Sequence, residues 1–303
     1  MQESDEILIQ KLEELNKEYL DSEYYQLGKH VSYLKNLFKQ KRFIKLFEMM
    51  LLHFRKKKKK QVLIKERIVQ SPSYKVKNDN EYKVAIYTCI TGNYDEVEEP
   101  LIKEDGCDYF LFTNNKNIKS DNWKIMPIPE EIANMGNNAK VNRYIKMHPK
   151  ELFDEYDYSI YIDGNIKLVS TISQFVKQVS EKTGLAIHRH CTNECIYNEV
   201  KDCRAYGKGN YSKLKKQVKR YKKEGFPKDY GMLECNVLVS DLKNNNSKRI
   251  FDEWWNEYLS SESMRDQIAL PYVLWKMKIL VEEIGNLGKN VNSNSVIKIN
   301  SHI

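Results

Sequence analysis

The stretch Ser159-Ile-Tyr-Ile-Asp163-Gly-Asn165 sets a carboxylate, a glycine and a carboxamide directly after an apolar run. Ile160-Tyr161-Ile162 is β-branched and aromatic and reads as a buried strand. Hard cations such as Mg²⁺ or Mn²⁺ take oxygen ligands, typically one or two carboxylates plus substrate phosphates. Asp163 could bind such a metal, with Asn165 as a neutral oxygen ligand and Gly164 allowing close backbone approach. A plain Asx-type turn would use the same residues. Upstream, Lys140 and Arg143 lie three residues apart in a helical pattern and so share a face. Both could meet a leaving diphosphate and offset its charge.

The elements around these residues alternate. Strands are expected at 82–92, 107–115, 122–129, 156–165 and 184–190, and helices at 138–147 and 172–183. That pattern predicts an α/β fold with a mostly parallel sheet sandwiched by helices. Ligands of such sheets sit at the carboxyl ends of the strands, and Asp163 falls at one of those ends. Neither Gly-x-Gly-x-x-Gly nor a P-loop follows the first strand, which removes the phosphate device of dinucleotide enzymes and NTPases. In its place stands "TCITGNYD", where Thr88, Asn93, Tyr94 and Asp95 could hold a nucleoside by hydrogen bonds and stacking.

The whole chain carries +8, but residues 29–67 alone carry +12, which leaves the rest at −4. A nucleic-acid enzyme with a basic working face is therefore not expected. Within that segment Phe43, Leu46, Phe47, Met50, Leu51 and Phe54 form one helical stripe, followed by Lys56 to Lys60. This pattern fits an anionic membrane surface or a partner protein equally well. Residues 1–70 are read as a helical docking extension and 71–81 as a linker. No run of 18 uncharged apolar residues occurs. The six cysteines are scattered rather than arranged as a disulfide framework. The expected location is cytoplasmic, at the inner membrane face.

A series of motifs then becomes informative together: "YTCITGNYD", "DYFLFTN", "NNAKVNRYIKMHP", "YIDGNIKL", His190…Cys195-Ile-Tyr197-Asn-Glu199, "GMLECNVLV" and "MRDQIALPYVLW". In this order over residues 82–280 it resembles the glycosyltransferase-like domain of plant mucilage-related and turgor-defect proteins, which also occurs in bacterial polysaccharide loci. The resemblance implies a GT-A-like (Rossmann-like) sandwich with a nucleotide-binding half and an acceptor-binding half, and a tail at 281–303. It implies a nucleotide-sugar donor, UDP-sugar first, with Mn²⁺ or Mg²⁺ at Asp163 and Asn165. Asn165 stands where other GT-A enzymes carry a second carboxylate, so the resemblance leaves more of the phosphate work to basic side chains.

On the acceptor side, His190, Glu199 and Gln267 are expected to face the sugar. Glu234, on an apolar strand, and Asp266, at a helix start, are the candidates for proton acceptor or acceptor contact. His188, His190, Cys191, Cys195 and Cys203 match no standard zinc finger. The basic run 211–223 is expected to be a solvated helix. The expected activity is transfer of a sugar to a glycan or lipid-linked acceptor in bacterial surface polysaccharide synthesis. The rivals are a ceramidase-like amidohydrolase, which would need an ion at "HRHC", and a non-catalytic scaffold of a polysaccharide assembly complex.

Overall fold

The computed structural model describes residues 74–76, 82–92, 94–191, 195–205, 208–288, 291–292 and 294–300. The amphipathic stripe and lysine block, Asn93 and most of the linker lie outside the described residues. Eleven strands occur among them: β1 (Tyr74–Val76), β2 (Val84–Ile90), β3 (Ile102–Glu104), β4 (Cys107–Thr113), β5 (Lys124–Pro127), β6 (Tyr158–Ile162), β7 (Ile166–Leu168), β8 (Leu185–Arg189), β9 (Leu233–Asp241), β10 (Gly285–Asn286) and β11 (Ile297–Ile299). The longer helices are α1 (Asn138–Met147), α2 (Ile196–Ala205), α3 (Tyr211–Lys223), α4 (Asn245–Ser261) and α5 (Asp266–Lys276).

The main sheet has seven strands in the order β10-β8-β9-β6-β2-β4-β5. All neighbours pair in parallel except at β9, which runs antiparallel to both β6 and β8. The mostly parallel, helix-flanked α/β sheet expected from the sequence is therefore what forms. Its central strands β2, β4 and β6 are largely buried on both faces, as central parallel strands must be, while the edge strand β5 is mostly exposed. In β2, Ala85, Tyr87 and Cys89 join one core cluster, while Val84, Ile86 and Ile90 join the other. Tyr161 of β6 faces the first cluster, and Ile160 and Ile162 face the second.

The segment expected as a helix at 172–183 is a shorter 3-10 turn, Ser173–Gln178. Its start is set by the buried Glu104, which accepts hydrogen bonds from the Ile172 and Ser173 amides at 2.7 and 3.1 Å and from the Ser173 hydroxyl. Only Ser173, Phe175 and Val176 are buried there, too few for a longer packed helix. Two further pairings flank the sheet: β1 with β3, parallel, and β11 with β7, antiparallel. Among the described residues no helix is long and apolar enough to cross a membrane.

α1 positions the site. Asn137 caps it, its side chain accepting from the Ala139 and Lys140 amides. Val141, Ile145 and Met147 bury one stripe in the first core cluster. The Asn142 side chain donates to the Cys89 carbonyl at 2.6 Å, and the Tyr87 hydroxyl donates to the Lys146 carbonyl at 3.0 Å. These bonds fix the helix against the C-terminal half of β2, so its basic residues are held beside the strand ends.

Candidate functional site

The end of β6 delivers Asp163. Its amide donates to the Asn236 carbonyl on β9 at 2.9 Å, and its carbonyl accepts from Ile166 at 3.0 Å, closing a tight turn. Gly164 is required here by space rather than by dihedral angle. A Cβ at this residue would stand 2.9 Å from both Asp95 Oδ2 and Ile90 Cγ1. The Asp95 carboxylate therefore packs directly over the Asp163-Gly164-Asn165 backbone.

α1 sends two cations inward. Lys146 is 1% exposed and its Nζ lies 2.7 Å from Asp266 Oδ2 and 3.8 Å from Asp163 Oδ1. Arg143 Nε lies 2.9 Å from the same Asp266 oxygen. The ammonium of Lys146 also sits over the Tyr161 and Trp254 rings, at 5.1 and 5.8 Å from their centroids. Asp266 opens α5, and its carbonyl accepts from Trp254 Nε1 at 2.8 Å. Burial works against the Asp266 charge, but the Arg143 guanidinium, the Lys146 ammonium and Arg265 outweigh it and hold the carboxyl well below its ordinary value. Asp266 is thus a fixed anion that organises two cations, and it is poorly suited to take up a proton.

The next residue on α5, Gln267, turns to a second polar group. Its Nε2 donates to Glu234 Oε2 at 3.1 Å. His190, just past β8, places Nε2 3.3 Å from Glu234 Oε1 and 3.2 Å from Glu199 Oε2. Burial disfavours the imidazolium, but the Glu199 hydrogen bond and the Glu234 and Glu199 charges raise the His190 pKa above its ordinary value. Arg265 Nη2 lies 3.8 Å from Glu199 Oε1 and donates to Gln267 Oε1 at 3.2 Å. The start of α5 therefore joins two clusters: Asp163–Lys146–Asp266–Arg143 on one side and Glu234–His190–Glu199 on the other.

The remaining sequence-derived residues fall around them. Tyr94 is 62% exposed. Thr88 lies within β2, buried, and its hydroxyl has no hydrogen-bond partner. Lys140 is half-buried at the start of α1. Thr91 instead holds the Asn138 carbonyl at 3.0 Å. Asn114 receives the Gly92 amide at 3.0 Å and donates to Asn138 Oδ1 at 3.1 Å, tying the loop after β2 to the end of β4 and the start of α1. Gly92 has φ +63°, and a Cβ there would overlap Asn138 Nδ2. Asn165 is buried; its amide nitrogen donates to the Asn300 carbonyl at 2.7 Å, while its Oδ1 has no hydrogen-bond partner.

One residue that sequence reasoning left out is central: Lys146, whose signal is readable because it continues the Lys140–Arg143 spacing by one more step of three. Cys191 belongs to the "HRHC" run, but its contact with Glu234, Sγ to Oε1 at 3.9 Å, spans 43 positions and has no sequence signal.

A hard divalent cation fits the strand-end donors. The Asp163 side chain is 25% exposed, and the Asn165 side-chain oxygen Oδ1 has no hydrogen-bond partner; both are oxygen ligands. The charges agree as well: Arg143 and Lys146 are balanced by Asp266 and Asp163, so a diphosphate arriving there would need further positive charge.

The family model described as the TOD1/MUCI70, glycosyltransferase-like domain matches residues 54–302. No curated protein matches the chain. Among solved structures, the chain is similar to the bifunctional glycosyltransferase WbbM in its apo form, at 10% identity and TM-score 0.41, over 70% of this chain and 40% of that one. It is similar to the galactosyltransferase LgtC in complex with donor and acceptor sugar analogues, at 13% identity and TM-score 0.38, over 62% and 70%. Mouse xyloside xylosyltransferase 1 is similar at 8% identity and TM-score 0.41, over 68% and 84%. The chain spans less than half the length of the bifunctional enzyme.

Proposed function

The chain belongs to the TOD1/MUCI70 family of glycosyltransferase-like domains, and we propose on that footing that it moves a sugar from a nucleotide-diphosphate sugar, UDP-linked first, to a glycan or lipid-linked acceptor in bacterial surface polysaccharide synthesis. One observation carries this reading. A partly exposed carboxylate at a strand end, Asp163, stands 3.8 Å from a buried ammonium, Lys146, that a second carboxylate locks in place. Such a preorganised set of charges is what a departing diphosphate requires.

In this reading Asp163 and Asn165, with Asp95 packed over them, hold a Mn²⁺ or Mg²⁺ ion, which would supply positive charge to the diphosphate oxygens. Arg143 and Lys146 face the same phosphates, and Lys140 at the start of α1 adds a third cation. Asp266 keeps Arg143 and Lys146 oriented while no donor is bound. The exposed Tyr94 ring offers a stacking face for the base. His190, Glu199, Glu234 and Gln267 shape the acceptor side. Docking at an inner membrane face or on a partner protein through residues 29–67 belongs to the same proposal.

The test is a thermal-shift and hydrolysis panel of UDP-, GDP- and CDP-sugars with the full chain, with and without Mn²⁺. A rise in Tm with at least one donor, greater with Mn²⁺ and absent in Asp163→Asn, supports the reading. No response to any donor favours the non-catalytic scaffold instead.

A further inference from the structure

The His190–Glu199–Glu234 cluster holds more ligand chemistry than sugar binding uses. Carboxylate oxygens of the buried Glu199 and the half-buried Glu234, at 3.2 and 3.3 Å, converge on the one Nε2 of His190. A single N–H can point at only one of them. The Cys191 sulfur approaches the same Glu234 oxygen at 3.9 Å. The His190, Cys191 and Glu234 ligand atoms all lie within 4.8 Å of one another.

We propose that His190, Cys191 and Glu234 form a three-ligand zinc site that joins β9 to the end of β8, with Glu199 of α2 beside it. Tetrahedral zinc, with Zn–N and Zn–O of about 2.0–2.2 Å and Zn–S of about 2.3 Å, sets its ligands roughly 3.3–3.7 Å apart. The His190–Glu234 and Cys191–Glu234 edges, at 3.3 and 3.9 Å, match that spacing within a few tenths of an ångström. An ion at their centre takes the place of a proton between His190 and Glu234.

The surroundings are arranged as an outer shell. Glu234 turns Oε1 to the centre and has Oε2 held by Gln267 Nε2 at 3.1 Å, while Glu199, 3.2 Å from His190 Nε2, is held in turn by the Cys203 thiol at 3.7 Å and Arg265 at 3.8 Å. Such partners orient metal ligands and raise their basicity. The charges close too. One carboxylate and one thiolate against a divalent ion leave no net charge, and Arg265 offsets the neighbouring Glu199. Mixed N, S and O ligands suit zinc over Mg²⁺ or Mn²⁺, which prefer oxygen alone. Three protein ligands leave the fourth position to water, and the ion shares none of them with Asp163 or Asn165. It is therefore separate from the cation proposed at Asp163, and neither site depends on the other.

Cobalt is the probe. The full chain is stripped with a chelator, returned to metal-free buffer and titrated with Co²⁺. About one equivalent should bind, with a near-ultraviolet thiolate-to-cobalt band and intense visible bands of a tetrahedral ion, and Zn²⁺ should displace it. Cys191→Ser should remove the thiolate band, while Cys107→Ser should keep it. Zinc should also slow alkylation of Cys191, mapped by mass spectrometry on the unmodified sequence, by at least ~10-fold. No thiolate band in the wild-type protein, or equal alkylation with and without zinc, overturns the proposal even if Cys191→Ser fails to fold. Donor-induced thermal shifts are read separately, so failure of the zinc site and failure of the transferase reading are distinguishable.

Discussion

Replacing Asp266 by Asn would leave Arg143 and Lys146 buried without the anion that holds them. The side chain keeps its shape and can still accept a hydrogen bond, so the perturbation is almost purely one of charge. Asp266 is paired at 2.9 Å with Arg143 and at 2.7 Å with Lys146, and Lys146 is 1% exposed. Breaking a buried pair by neutralising one partner costs about 3–5 kcal/mol, because the desolvated cations lose their compensation. Asp163, at 3.8 Å from Lys146 and partly exposed, offsets only a fraction of this. For a domain of this size each kcal/mol moves Tm by roughly 2–4 °C, so Asp266→Asn should melt roughly 6–20 °C lower at neutral pH.

The pH dependence follows from the same pairing. The Asp266 carboxyl is depressed when folded, so the unfolded chain binds the proton more readily. Its stabilisation is fully present above the unfolded value, about pH 4, and is lost as pH falls below it toward the folded value. The gap between wild type and Asp266→Asn should therefore narrow in acid. Scanning calorimetry or urea denaturation between about pH 3 and pH 8 measures both effects. A Tm shift under ~2 °C at neutral pH, or a gap that widens in acid, would refute the claim that Asp266 is the counter-ion of the cluster.

Other outcomes follow from single contacts. Lys146→Met should keep much of the packing stem but weaken donor binding or turnover by at least ~10-fold, measured as kcat/KM with the donor identified by the panel. Glu104→Ala strands two buried amides and a hydroxyl, and should cost about 2–4 kcal/mol in urea unfolding without changing donor affinity. Gly164→Ala pushes a methyl against Asp95 and Ile90; donor or Mn²⁺ response should fall more than stability, which should drop by about 1–3 kcal/mol. Trp254→Phe removes the indole bond to the Asp266 carbonyl and should lower stability by about 1–3 kcal/mol in the same unfolding assay.

By itself the sequence determined the sheet and the place of its working edge. Runs such as Val84–Tyr87 and Ile160–Ile162 are apolar on every residue, which suits strands covered on both faces, and their polar ends then fall at one edge. Those are local properties: hydrophobic period, β-branching, and the Asn cap that starts α1. Even the spacing of Lys140, Arg143 and Lys146 could be read, because helical faces repeat within a few residues. Only the tertiary structure decided what those side chains meet. The pairing of Lys146 with Asp266 crosses 120 positions, and that of Cys191 with Glu234 crosses 43. It also decided how the polar residues in and after β2 divide, burying Thr88 inside the sheet while exposing Tyr94 in the loop beyond it. The physical reason is that a charge's role depends on burial and on partners brought near by chain crossing. Neither quantity is carried by a residue's type or by its immediate neighbours.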